Sequence, residues 1–72
     1  MESFRNQRIS LGVAVKNERV SQGLTQEQLA SMIGTSKSHI WRIENGKVST
    51  TIGCLAQIAE ALGVKASALI KF

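Results

Sequence analysis

The chain has no proline, no tyrosine and no aspartate, and its 72 residues include one cysteine, one histidine and one tryptophan. Each scarcity excludes something. Without proline, no position forces a helix to kink or stop. Cys54 has no second cysteine to pair with, so an internal disulfide is impossible and a reducing, cytoplasmic setting is expected. One His and one Cys far apart in sequence cannot make a zinc site. With no aspartate there is no Ser/His/Asp grouping, and nothing points to nucleophilic or acid–base catalysis. An enzyme, a metal and a cofactor are therefore not expected. No apolar run approaches the roughly 18 residues needed to span a bilayer. The opening "MESFRNQRIS" lacks the apolar core of a signal peptide. No helical segment joins a large apolar face to a dense basic one, so a membrane surface is not an expected partner.

What remains is a short, basic, helix-forming chain. Its length allows one domain, and 43% hydrophobic residues suffice for one compact core. Nine Lys and Arg against five Glu leave a formal net charge of +4, with a sequence pI of about 9.9. A surplus of that sign in a small domain points to a polyanion as partner.

Turn and cap residues divide the chain. Residues 1–8 read as a polar arm carrying Arg5 and Arg8, ahead of a helical domain over 9–72. "SLGVAVKNERVSQG" reads as a first helix, with Leu11, Ala14, Val15 and Val20 inward and Gly23 as its stop. Thr25 and Gln28 have the spacing of a capping box opening a second helix, with Leu29, Ala30 and Ile33 on one face and Gly34 at its end. Ser36 can cap a third helix, "KSHIWRIEN", which Gly46 stops. Thr51 can cap a fourth, "IGCLAQIAEAL", where Ile52, Leu55, Ile58, Ala59 and Leu62 form an amphipathic series ending at Gly63. "VKASALIKF" is expected to form a short fifth helix with Val64, Leu69 and Ile70 inward. No strand-like alternation occurs, so the expected fold is an all-α bundle of five short helices.

Trp41 lies between two isoleucines, yet it does not share their face. At about 100° per residue, Ile43 falls about 60° from Ile40, whereas Trp41 lies about 100° from Ile40 and about 160° from Ile43. Lys37, Ser38, Trp41, Arg42 and Asn45 occupy one arc of roughly 140°, opposed to the isoleucines. An outward face of this composition can enter a DNA major groove, where Arg and Lys reach guanine acceptors and hydroxyls read either partner. Ser36, as cap, would place the positive helix N-terminus close to phosphate. Two short helices joined through Gly34-Thr35, the second facing outward, have the arrangement of a helix-turn-helix.

These residues resemble the Cro and phage-repressor family of helix-turn-helix regulators, also called the xenobiotic-response-element family. The resemblance runs from about Leu11 to Ile70. It rests on "GLTQEQLA", on Ala30, Gly34 and Ile40 at family spacing, on "RIENGK" and on "LAQIAEALGV", in that order and at the right separations. It implies the lambda-repressor-like five-helix fold, with helices 2 and 3 as the DNA-binding pair and a recognition helix at about 36–45. It also implies roles. Lys37, Ser38 and Arg42 match positions that read base edges, with Trp41 beside them. Gln26, Asn45 and Lys47 match contacts to the DNA backbone. Ser36 and His39 join that set as expected backbone contacts, His39 being on the flank of the face. Arg19 and Glu44 match a structural ion pair between helix 1 and the end of helix 3. Trp41 departs from the small or polar residues usual at its place. "KVSTT" has Lys47 as its only cation and no proline, and Lys65 replaces the serine that often caps the last helix.

The expectation is a sequence-specific regulator of transcription, a repressor, binding double-stranded DNA as a symmetric homodimer on an inverted repeat. Val64, Leu69, Ile70 and Phe72 are candidate dimer contacts. The rival expectation is a protein-interaction module of the same fold, such as an antitoxin or an adaptor, with Trp41 meeting a protein partner.

Overall fold

The computed structural model describes residues 4–72. Among them are four α-helices: α1 (Arg5–Ser21), α2 (Gln26–Ile33), α3 (Lys37–Glu44) and α4 (Ile52–Leu62). The expected fifth helix is a single 3-10 turn, Ala66–Ala68. Lys65 precedes it and supplies no side-chain cap, and its backbone bonds, such as Leu69 N–H to the Ala66 carbonyl at 2.9 Å, close within three residues. The chain is turned there so that Leu69 enters the core, and no α-helical ladder develops.

The helix limits follow from local chemistry. Thr25 Oγ1 accepts from Gln28 N–H at 3.0 Å, and Gln28 Oε1 accepts from Thr25 N–H at 2.8 Å, completing the capping box of α2. Ser36 Oγ caps α3 through His39 N–H, and Thr51 Oγ1 caps α4 through Cys54 N–H, each at 3.1 Å. Gly34 closes α2 with φ of 74°, a left-handed backbone that costs a side-chain-bearing residue energy. Thr35 N–H reaches back to the Ala30 carbonyl at 2.9 Å. The same reach-back bond ends α1, α3 and α4, from Leu24, Lys47 and Val64 to Arg19, Arg42 and Ala59.

One core takes side chains from every element: Val15 of α1, Leu29 of α2, Ile40 and Ile43 of α3, Ile58 of α4, and Leu69 after the 3-10 turn are all fully buried. At the far end, Gln22 Nε2 donates to the Leu62 carbonyl at 2.6 Å and ties the end of α1 to that of α4.

Beyond the last helix, four further expectations are corrected. Residues 5–8 of the expected arm are the first turn of α1, and residues 1–3 lie outside the described residues. Val20 faces outward, 56% exposed. It stands about 140° around the helix from Val15, whereas Arg19, about 40° from Val15, is turned inward. Ile52, at the open first position of α4, and Ile70 are also exposed. Apolar character alone therefore does not bury these positions.

Candidate nucleic-acid interface

The interface begins with how α3 is held. Ile40 and Ile43 anchor its inner side in the core. The opposite side carries Lys37, Ser38, Trp41, Arg42 and Asn45, all exposed. Trp41 is 48% exposed, so half of the indole contributes apolar surface to a face otherwise made of hydrogen-bonding groups. α2 crosses beside α3 through the Gly34 turn, with Leu29 and small Ala30 buried where the two helices approach.

The carboxylate of Glu44 would place a negative charge at the end of this helix. It is instead buried, its side chain 1% exposed. Arg19 of α1 grips both oxygens, Nε to Oε2 at 2.6 Å and Nη2 to Oε1 at 3.0 Å. Arg19 Nη1 donates further to the Leu24 carbonyl at 2.7 Å. Such a two-bond fork is the strong form of an ion pair. Gln26, at the first position of α2, donates from Nε2 to Glu44 Oε1 at 3.0 Å. One buried carboxylate thus joins α1, α2 and α3. The only acid of α3 is neutralised from within, and the outward charges of the helix, Lys37 and Arg42, are positive.

The remaining candidates sit at the two ends of α3. Ser36 is the cap at the N-terminus. His39 is half-buried, with Nδ1 2.9 Å from Thr35 Oγ1. Asn45 turns its side-chain amide back to the Trp41 carbonyl at 2.8 Å and closes the last turn. Lys47 follows Gly46 and is exposed. Lys37, Ser38, Trp41, Arg42, Asn45 and Lys47 therefore lie on or beside one face. Gln26 lies at its edge with one amide hydrogen committed to Glu44, and Arg19 is withdrawn into the interior.

Three supports of this face were missed in the sequence. Arg8 Nε donates to the Gly46 carbonyl at 3.2 Å, holding the chain just after α3. At Gly46 a Cβ would come within 2.9 Å of the Ile9 side chain. At Gly12 a Cβ would meet the carbonyl oxygens of Ile43 and Glu44 at 2.5 and 2.6 Å. Arg8, Gly12, Val15 and Arg19 fall within about 60° on a helical wheel. That stripe was legible once the helix is started at Arg5.

Cys54, half-buried in the first turn of α4, is distant in sequence from these groups, and burial pushes its thiol pKa up. Among the described residues no group of three or more His, Cys, Asp or Glu side chains could hold a metal ion, and no helix is long and apolar enough to cross a membrane.

Residues 15–69 match the family model described as Helix-turn-helix. The competence pilus inhibition repressor of Acinetobacter baylyi is 39% identical over 59 residues, covering 82% of this chain and 54% of that protein. The immunity repressor protein of Bacillus phage phi105 is 32% identical over 62 residues, covering 86% of this chain and 43% of that protein. The chain thus spans about half the length of these curated relatives. Among solved structures, the restriction-modification controller protein C.AhdI from Aeromonas hydrophila superposes with a TM-score of 0.88 over 94% of this chain and 99% of that one, at 24% identity. That likeness concerns the fold alone.

Proposed function

This chain belongs to the helix-turn-helix family, and from that premise we propose that it is a sequence-specific regulator of transcription, a repressor, that binds double-stranded DNA as a symmetric dimer on an inverted repeat. α3 enters the major groove, α2 lies across the backbone, and the segment from Asn45 to Thr51 grips phosphate. Lys37, Ser38, Trp41 and Arg42 meet base edges. Gln26, Ser36, His39, Asn45 and Lys47 meet the backbone, with Gln26 using the amide hydrogen that Glu44 leaves open.

The observation that carries this reading is the outward face of α3. It is polar and cationic, it is backed by two fully buried isoleucines, and its one acid is sequestered by Arg19. The buried pair itself serves the fold; what favours DNA over a protein partner is that the outward charges left on α3, Lys37 and Arg42, are both positive. Of the expected dimer contacts, Leu69 is consumed by the core, while Ile70 and Phe72 are exposed and remain available to a second copy.

The test is selection from a random duplex pool near physiological salt. An enriched inverted repeat with half-sites about ten base pairs apart, centre to centre, is expected. Arg42→Ala should relax the preference at one position by about 1–3 kcal/mol. Retention of every duplex alike, with Arg42→Ala changing nothing, would favour the protein-docking rival. Sedimentation of a strict monomer, free and on DNA, would remove the dimer.

A further inference from the structure

We propose that Trp41 reads the 5-methyl group of a pyrimidine, so that the preferred duplex carries thymine or 5-methylcytosine opposite this residue. The inference rests on the DNA-reading role of α3 given above and adds the chemical group that its tryptophan selects.

The argument starts from what surrounds the indole. Ile40 and Ile43, on the far side of α3, are fully buried, whereas Trp41 is half-exposed among Lys37, Ser38, Arg42 and Asn45. Those four neighbours offer charged or hydrogen-bonding groups. An indole offers one N–H donor and is otherwise apolar. Asn45 binds the Trp41 carbonyl at 2.8 Å, so the backbone beneath the ring is fixed rather than frayed.

The major groove shows a ring of this kind few suitable surfaces. Guanine presents N7 and O6, adenine N7 and N6, cytosine N4, and thymine O4 and its C5-methyl group. The methyl is the one apolar group among them. The single N–H can serve one acceptor, but the ring carbons packed on any of the polar atoms would strip water without replacing the lost hydrogen bonds, which is unfavourable. Packed on a methyl, it removes two apolar surfaces from water at once. The flanking cations Lys37 and Arg42 match a polyanion, and the only acid of α3 is turned inside. That charge pattern favours DNA over a protein as the surface that covers the indole.

Uracil differs from thymine only by the methyl group, and 5-methylcytosine adds it to cytosine. The duplex recovered from a random pool is therefore remade with uracil at each thymine in turn, and with 5-methylcytosine at each cytosine in turn. At one position of the site, loss of the methyl should weaken binding about three- to fivefold, the effect of one buried methyl-sized group. A loss in the uracil arm identifies thymine as the source, and a gain in the methylation arm identifies 5-methylcytosine. Trp41→Ala should bind with no methyl preference at that position, and it keeps the backbone carbonyl that Asn45 needs. Trp41 is the sole tryptophan, so its emission should shift to the blue on the methylated duplex and less on the demethylated one. Methyl insensitivity at every position in the unmodified protein overturns the inference alone, as does full sensitivity retained by Trp41→Ala. A pool without any enriched site overturns the DNA-reading role, and this inference falls with it.

Discussion

Gly12 stands directly against Glu44: a Cβ on Gly12 would lie 2.6 Å from the Glu44 carbonyl oxygen and 2.8 Å from its carbonyl carbon. The backbone of α1 therefore touches the backbone at the end of α3, with no side chain between them. This contact sets how far the last turn of α3, and with it Arg42, stands out from the core.

Gly12→Ala is expected to destabilise the fold by about 1–3 kcal/mol or more, as overpacking of rigid atoms does. The atoms it would strike are backbone, which cannot swing aside. Gly34→Ala makes the control. There φ is 74° but no atom lies within 4 Å of the added carbon, so only the backbone strain of roughly 1 kcal/mol applies. Urea denaturation of the two variants should rank them in that order. Equal stability of Gly12→Ala and the unmodified chain would contradict the close approach.

Arg19→Met should cost about 3–5 kcal/mol, because it leaves the buried Glu44 carboxylate with Gln26 as its remaining side-chain partner. Adding Glu44→Leu to that variant should recover much of the loss, since an apolar pair can replace a buried ion pair. Chemical denaturation of both variants checks this. A cost below about 1 kcal/mol for Arg19→Met would be the behaviour of a solvent-exposed pair and would argue against burial.

Lys47→Ala should weaken DNA binding nearly equally on all duplexes and lower the slope of log affinity against log salt by about one. The cation is exposed just past Gly46 and acts as a charge beside phosphate, not as a reader of bases. A salt titration of both proteins on one duplex measures the slope. A changed site preference with an unchanged slope would place Lys47 among the base-reading residues instead.

Burial raises the Cys54 thiol pKa above its ordinary value. In the folded chain the thiol therefore holds its proton to higher pH than in the unfolded chain, which ionises near pH ~8.5. The stability this contributes is fully present below that pH and is lost as pH rises through the folded pKa. Alkylation of Cys54 should accordingly be slower than that of a free thiol at pH 8, and its rate should climb at more alkaline pH. Reaction as fast as a small-molecule thiol would show the burial to be open to solvent.

Much of this protein is written locally. Thr25, Ser36 and Thr51 each accept the backbone bond of an N-cap, and Gly23, Gly34, Gly46 and Gly63 each take positive φ at a helix end. These are interactions across three to six residues, so their residue types and spacing reveal them. The outward direction of Trp41 was legible for the same reason, since the angle between positions on one helix is fixed by the helix itself.

The rest depends on what lies across from a residue. Val20 and Ile52 are as apolar as Val15 and Ile58, yet they are exposed. Arg8 reads as part of a polar arm until α1 is seen to extend to Arg5 and bring it to the Gly46 carbonyl. Gly12 reads as an unremarkable small residue inside a helix, and its necessity comes from a partner 32 positions later in the sequence. The last segment carries apolar residues at plausible helical spacing, but the core draws in Leu69 and leaves only a 3-10 turn. The sequence by itself determined the caps and glycine stops that bound α2, α3 and α4 and which face of α3 looks outward, because those are short-range matters of hydrogen bonding and rotation per residue. The tertiary structure alone decided which apolar faces are covered, how closely α1 meets α3, and that Gln26 joins Arg19 on one buried carboxylate, because packing brings together atoms that no local pattern relates.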